Sequence, residues 1–280
     1  MKKIVKLLIK FLEKILYLIG YSLNLEIKKL NKNHLKENKL NLNIGSGQYT
    51  IRDFKSLDIY SKHYYPNKNK FLKERIEYNL RKDKIPFEDN TVDNIYNSHV
   101  IEHVEDEFVN EFIKEAYRVL KPGGVLRIVC PDAKFMFDVS QFSNEYWKWR
   151  KEGTFSDKKK TNTDWNIIEQ YDYLIKELSS AHCRFYNYKI DSNIPDINEL
   201  KKLSYEKLKN FLKQKTKFRD NYPNDHINLH DFESLSKTAY DEGFSYVLNS
   251  KKGGSVSAEM QNFEFDRTSP QNSLYLDMIK

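Results

Sequence analysis

The chain has 280 residues, 39% of them hydrophobic and 31% charged, with a mean hydropathy of −0.75. That length holds one large α/β domain with an elaboration, or two small domains, and the balance fits a soluble globular protein. Two cysteines, Cys130 and Cys183, make neither a disulfide framework nor a zinc site and point to a reducing compartment. The net charge of +7 is uneven: residues 1–39 hold ten lysines against Glu13, Glu26 and Glu37, and the rest of the chain is formally neutral. A uniformly basic nucleic-acid binder is thereby excluded. The 19 Tyr and 17 Phe put much of the apolar area on aromatic rings, which suits clefts and interfaces as well as cores.

The first predicted element is a helix over residues 4–19. Lys3, Lys6, Lys10, Lys14 and Tyr17 share one narrow face, and Ile4, Leu7, Leu8, Phe11, Leu12, Ile15, Leu16 and Ile19 cover the rest. Lysines recur too often for a signal peptide or an ordinary membrane span. The pattern fits a helix lying in a membrane interface with its lysines towards anionic headgroups, and also a helix packed on the protein core or across a dimer of identical copies. Residues 1–39 are therefore set apart as a basic helix and linker.

Strands are predicted at Leu40–Ile44, Phe54–Tyr60, Arg75–Leu80, Val92–Ser98 and Val125–Cys130. A helix from Asp106 to Leu120 carries Phe108, Phe112, Ala116, Val119 and Leu120 at helical spacing and ends on the turn Lys121-Pro-Gly-Gly124. Strands alternating with helices imply a parallel sheet covered on both faces, a doubly wound α/β core over residues 40–132. Residues 133–230 break the rhythm: they are aromatic, polar and mostly helical, and read as a lid inserted over the sheet, with Asp196 and Glu199 boxing the start of a helix to about residue 214. The core resumes over 231–280. Asp231 caps a helix to Gly243, and strands follow at Phe244–Asn249 and Ser273–Ile279, joined by a 23-residue connection without a helix.

Ile44-Gly45-Ser46-Gly47 directly follows the first strand, where glycines let the backbone approach a ligand. Asp58 ends the next strand, where a carboxylate can accept from both hydroxyls of a ribose. Too few residues join these strands for a helical crossover, and Tyr49 stands where a third glycine would complete a dinucleotide fingerprint. An adenosine-containing cofactor without phosphates fits better.

LNIGSG, Asp58, Asn79-Leu80, Ile85–Val104 (IPFEDNTVDNIYNSHVIEHV) and Arg118–Asp132 (RVLKPGGVLRIVCPD), in that order, resemble the class I S-adenosylmethionine-dependent methyltransferases. They are most similar to the branch found in bacterial surface-polysaccharide and lipopolysaccharide biosynthesis clusters, and residues 226–280 match its ending more loosely. The resemblance implies a seven-stranded Rossmann-like sheet of order 3-2-1-4-5-7-6 with the seventh strand antiparallel. It implies S-adenosyl-L-methionine as cofactor, with Gly45, Ser46 and Gly47 around its amino-acid and ribose portions and Asp58 on the ribose. Asn79 stands where the family commonly uses Asp for the adenine amino group, with Leu80 on the ring. Ser98, at the end of the fourth strand, is expected at the same cofactor. Asn43 replaces an acidic residue common in the wider family.

Methyl transfer from a sulfonium requires alignment, and a hydroxyl acceptor also requires a base. His99, just past the fourth strand, lies where ligands bind in such sheets, and an unperturbed histidine makes a neutral imidazole available at physiological pH. His103 shares its face if a helix has begun, with Glu102 pointing elsewhere; it is a second candidate, or a histidine satisfying backbone groups. Asp132 is an acceptor-side carboxylate or a cap, and His226, which aligns with a family histidine, is a substrate-side candidate. His230 is expected to cap or pack. His99 and His103 could pair on a metal, yet no third ligand has convincing spacing, and no metal is expected. Tyr146, Trp147, Trp149, Trp165, Tyr171 and Tyr173 are expected mainly to build the lid's own core, with sugar stacking as the functional reading.

Together these features predict transfer of a methyl group to a sugar hydroxyl in a surface glycan or its lipid-linked precursor, in the cytoplasm or peripherally on the inner face of the membrane. N-methylation of an amino sugar or small amine is the alternative enzyme, and a non-catalytic scaffold retaining the cofactor fold is the alternative of another class. No nucleic-acid partner is expected, since Asn97-Ser98-His99-Val100 stands where a base-methylating Asn/Asp-Pro-Pro-aromatic motif would be.

Overall fold

The computed structural model describes residues 39–61, 65–143, 145–148, 174–175, 177–179, 197–219, 223–262, 264–268 and 271–280. The basic segment 1–38 lies outside them, as do Cys183, Asp196, Trp149, Trp165, Tyr171 and Tyr173.

Residues 40–280 form one compact unit. In chain order it holds β1 (Asn41–Ile44), β2 (Lys55–Asp58), α1 (Lys68–Glu74), β3 (Ile76–Glu77), β4 (Val92–Ser98), α2 (Asp106–Val119) and β5 (Leu120–Pro131). These are followed by α3 (Ala133–Phe142), α4 (Ile197–Leu200), α5 (Tyr205–Lys215), α6 (Phe232–Asp241), β6 (Tyr246–Asn249) and β7 (Ser273–Ile279). The strands form one sheet in the order β3-β2-β1-β4-β5-β7-β6. β7 runs antiparallel to both neighbours and the other pairs are parallel, as expected for the seven-stranded methyltransferase fold.

Burial explains why these segments take these forms. In α2, Val109, Phe112, Ile113, Ala116 and Val119 fall on one face at helical spacing and are buried. They pack with Leu42, Ile44 and Leu57 of β1 and β2, Ile95 of β4 and Leu126 and Ile128 of β5 in the main core. At α6, Asp231 accepts from the Ser234 amide at 2.8 Å while the Ser234 hydroxyl oxygen accepts from the Asp231 amide at 3.4 Å, a reciprocal capping box.

Four boundaries differ from the sequence reading. β3 has only two residues, because the chain turns at Asn79, whose carbonyl accepts from both Lys82 and Asp83. The Lys121-Pro-Gly-Gly124 turn does not precede β5 but lies within it, as a bulge where Leu120 pairs Val92 and Val125 pairs Asn94. Phe244 belongs to the core beside α6 instead of starting β6. The long helix expected before residue 214 is two, α4 and α5, with Ser204 in extended conformation ahead of α5.

In the insertion, Met136 of α3, Tyr146, Trp147, Leu174 and Leu178 join Leu208 and Leu212 of α5 in a second apolar cluster. Tyr146 and Trp147 are both buried there, so these two rings build the insertion's own core and do not present a sugar platform. No helix among the described residues is long and apolar enough to cross a membrane.

Candidate active site

The carboxyl ends of β1, β2 and β4 converge where the strand order reverses, which is where ligands enter sheets of this type. A cavity of about 450 Å³ opens there between Gly45, Gly47 and Asp58 on one side and Tyr78, Asn79, Leu80, His99 and His103 on the other. A second, of about 320 Å³, is lined by Asn43, Ser46, Tyr49, Ser98, Glu264 and Arg267. Gly45 and His99 line both, so the two cavities meet at the end of β4.

The two glycines have different reasons. Gly45 has φ +71°, and a Cβ there would lie 2.2 Å from Val100 Cγ2. Its bare Cα makes room for the Val100 side chain. Gly47, at φ +55°, has nothing within 4 Å of a built Cβ and faces open space.

Gly47 and Asp58 are in direct contact: the Gly47 amide donates to Asp58 Oδ2 at 2.7 Å. The same oxygen accepts from the Tyr65 hydroxyl at 2.5 Å, and Oδ1 accepts from the Ile59 amide at 2.8 Å. Burial raises the Asp58 pKa, and these hydrogen bonds oppose it. With three acceptor positions filled, one of the roughly four on a carboxylate stays open, so both ribose hydroxyls bind Asp58 only if the Tyr65 hydroxyl yields. Asn79 likewise spends its side-chain oxygen on the Arg81 amide, at 3.0 Å, closing a turn, while Leu80 lines the cavity beside it. Asn43 donates to the Tyr49 carbonyl at 3.3 Å from the floor of the smaller cavity.

The end of β4 is organised around a residue the sequence reading set aside. Glu102 does not point away: it is 2% exposed, its Oε1 accepts from His99 Nδ1 at 2.8 Å, and that oxygen lies 4.0 Å from His103 Nε2. Glu102 lies in the short 3₁₀ turn Ile101–His103, three residues on from His99, and its side chain reaches back to that ring. His99 itself has φ +54°, an unusual conformation for a residue with a Cβ, held by its amide on the Val129 carbonyl at 2.8 Å. The spacing His99-x-x-Glu102 was the available signal.

Burial raises the Glu102 pKa, but the charge and hydrogen bond of His99, helped by His103 and His226, outweigh it and hold Glu102 down at about 2. For His99, burial acts downward and Glu102 overcomes it, so the pKa is raised. Since Glu102 is an acceptor, His99 carries its proton on Nδ1, and Nε2 is buried with no hydrogen-bond partner.

His226 joins this group, its ring 5.1 Å from that of His103. Burial lowers its pKa to about 4, with Glu102 opposing. Asp132 does not join: it accepts from the Phe135 amide at 3.0 Å as the cap of α3, and it lines neither cavity. His230 is buried with Nε2 on the Ile101 carbonyl at 3.1 Å, a packing role.

The connection between β6 and β7 reaches the smaller cavity through Glu264, Arg267 and Thr268. It is anchored by fully buried Arg127, which donates to Asp266 at 2.7 and 3.1 Å and to Asp277 at 2.8 Å.

A seven-stranded sheet with a glycine bend against a carboxylate at its switch point is the frame of a class I methyltransferase, and residues 40–128 match the family described as methyltransferase domain. Residues 40–128 are therefore a methyltransferase domain, whose methyl donor is S-adenosyl-L-methionine. Among solved structures the chain is similar to S-adenosylmethionine-dependent methyltransferases from Methanosarcina mazei (15% identical, covering 90% of this chain and 96% of that one, TM-score 0.43) and Archaeoglobus fulgidus (14%, 92% and 94%, 0.42). A third such structure, from Mesorhizobium loti, is 13% identical over 89% of this chain and 95% of that one, with a TM-score of 0.40. No curated protein matches the chain.

Proposed function

We propose that the enzyme methylates a hydroxyl of a sugar in a surface glycan or its lipid-linked precursor. The observation that carries this reading is the His99–Glu102 pair at the junction of the two cavities. An oxygen nucleophile needs a proton acceptor as its bond forms, and an oriented imidazole backed by a buried carboxylate supplies one.

The residues present fit the cofactor. Gly47 leaves open space where any other residue would place a Cβ, and Asp58 keeps one acceptor position beside it. Asp58, Gly47 and Leu80 would hold the adenosine, and Asn43, Ser46 and Ser98 the amino-acid portion. Bound there, S-adenosylmethionine supplies a sulfonium methyl group that a nucleophile takes while the carbon–sulfur electron pair returns to sulfur. His99 Nε2 receives the acceptor's hydroxyl proton. Glu102 keeps the Nδ1 proton in place and stabilises the imidazolium that results, and the positive φ of His99 aims the ring from the strand end. The choice of a sugar rests on the resemblance to polysaccharide-cluster enzymes, and the lysine-striped sequence of residues 4–19 supports a lipid-linked form.

The test is incubation of the full chain with methyl-labelled cofactor and cell-envelope extracts, followed by location of the label. Recovery on a sugar oxygen is expected. Label found only on nitrogen or carbon refutes the hydroxyl reading.

A further inference from the structure

The smaller cavity carries two charged side chains that the cofactor contacts named so far do not use. On its β1 and β4 side, Asn43, Ser46 and Ser98 are neutral, and Asn43 Nδ2 is turned to the Tyr49 carbonyl. Glu264 and Arg267 enter from the connection between β6 and β7. Arg267 Nε donates to the Glu264 backbone carbonyl at 3.1 Å, and the guanidinium stands 4.9 Å from the centre of the Tyr49 ring. A guanidinium held in this way has committed one of its five N–H donors and keeps the other four. The Glu264 amide donates to Asn262 Oδ1 at 2.8 Å, which leaves the Glu264 carboxylate uninvolved. Among the described residues these two charged ends pair neither with each other nor with a third charge.

The two residues between them pin the connection. Phe265 is buried against Phe54 and Tyr96, with ring centres 5.1 and 4.8 Å away. Asp266 is fully buried: its carboxylate meets Arg127 and accepts from the Gly253 amide at 2.8 Å, while its own amide donates to the Tyr96 hydroxyl at 2.8 Å. Breaking a buried pair of this kind is costly, so the chain keeps this register and presents positions 264 and 267 to the cavity that Tyr96 also lines.

We propose that Arg267 and Glu264 clasp the amino-acid end of S-adenosylmethionine, Arg267 taking its carboxylate and Glu264 its ammonium group. The two cavities meet at Gly45 and His99, so a cofactor whose adenosine lies beside Asp58 in the larger one extends its amino-acid end into the smaller one. That end is a zwitterion. An uncommitted cation and an uncommitted anion in one cavity match it in sign and number, which the neutral groups of Asn43, Ser46 and Ser98 do not. A guanidinium fork takes a carboxylate through parallel N–H bonds, and a carboxylate accepts from an ammonium. The clasp rests on the cofactor placement proposed above and is independent of the acceptor. It makes the β6–β7 connection part of the cofactor site.

The experiment measures, by calorimetry on the full chain, affinity for S-adenosylhomocysteine and for methylthioadenosine, which keeps the adenosine and the thioether and lacks the amino-acid end. The unmodified chain is expected to bind S-adenosylhomocysteine more tightly by at least about tenfold. Arg267→Met should remove most of that advantage and Glu264→Gln part of it. Each should leave methylthioadenosine affinity unchanged, which also shows that the variants are folded. Arg267→Met should in addition bind S-adenosylhomocysteine and its decarboxylated analogue alike, a result that a general disturbance of the connection does not produce. Equal affinity of S-adenosylhomocysteine and methylthioadenosine for the unmodified chain overturns the clasp without any variant, and so does an undiminished advantage in both folded variants. Equal weakening of both ligands by the substitutions overturns it as well. Binding of neither ligand by the unmodified chain overturns the cofactor placement and the clasp together, whereas the other adverse results leave that placement standing.

Discussion

Replacing Gly45 by alanine separates the two demands on the bend after β1. The residue sits at φ +71°, which costs an L residue about 1–2 kcal/mol. Its new Cβ would stand 2.2 Å from Val100 Cγ2 and within 3.1 Å of Val100 Cγ1 and Cβ, so the whole side chain must move. Overpacking of this kind adds about 1–3 kcal/mol, giving a loss of roughly 2–5 kcal/mol in all. Truncation of Val100 in the same chain removes the collision and leaves the backbone cost. Gly45→Ala/Val100→Ala should therefore be more stable than the sum of the single losses by about 1–3 kcal/mol, as measured by urea unfolding in a double-mutant cycle. Gly47→Ala is the control: its φ is +55° but its Cβ meets nothing, so it should lose only about 1–2 kcal/mol of stability while S-adenosylhomocysteine affinity falls. Strict additivity in the cycle would refute the steric account of Gly45, and unaltered affinity in Gly47→Ala would refute the account of Gly47.

Asp58→Ala removes the acceptor of the Gly47 amide and the remaining position for a ribose hydroxyl, so S-adenosylhomocysteine affinity should fall about tenfold or more; calorimetry showing no change in a folded variant refutes the role. Arg127→Met leaves Asp266 and Asp277 as buried, uncompensated charges and should cost about 3–5 kcal/mol in denaturant unfolding, a loss below about 1 kcal/mol being the contrary result. Burial lowers the His230 pKa to about 4, so its contribution to stability is complete above the unfolded value near 6.5 and is lost as pH falls towards 4. Between pH 7 and pH 5 the unmodified chain should lose about 2 kcal/mol more than His230→Gln, and equal slopes would show that this histidine does not charge against burial.

Much of the frame was legible in the sequence because it depends on short-range pattern. The alternation in Leu40–Ile44, the helical spacing of Phe112, Ala116 and Val119 and the cap at Asp231 act within a few residues of themselves. The bend at Gly45-Ser46-Gly47 and the carboxylate of Asp58 could be paired because consecutive parallel strands lie side by side, and they do touch. Connections were read less well: β5 absorbs the Pro-Gly-Gly turn because β4 pairs Leu120 before it and Val125 after it.

What only the tertiary structure decided was the company each polar group keeps. His99 and His103 stood out from the sequence, whereas Glu102 was set aside, although its spacing of three from His99 allows the contact that the folded turn makes. His226 is more than a hundred residues from His103 along the chain, and no local pattern encodes their rings lying 5.1 Å apart. Asp132 had the right chemistry and position for an acceptor-side carboxylate, but its oxygen satisfies the first turn of α3. Local periodicity follows from forces between near neighbours, whereas a cluster of charges is set by where distant loops are fastened, and here two backbone hydrogen bonds to the Glu102 carbonyl do the fastening.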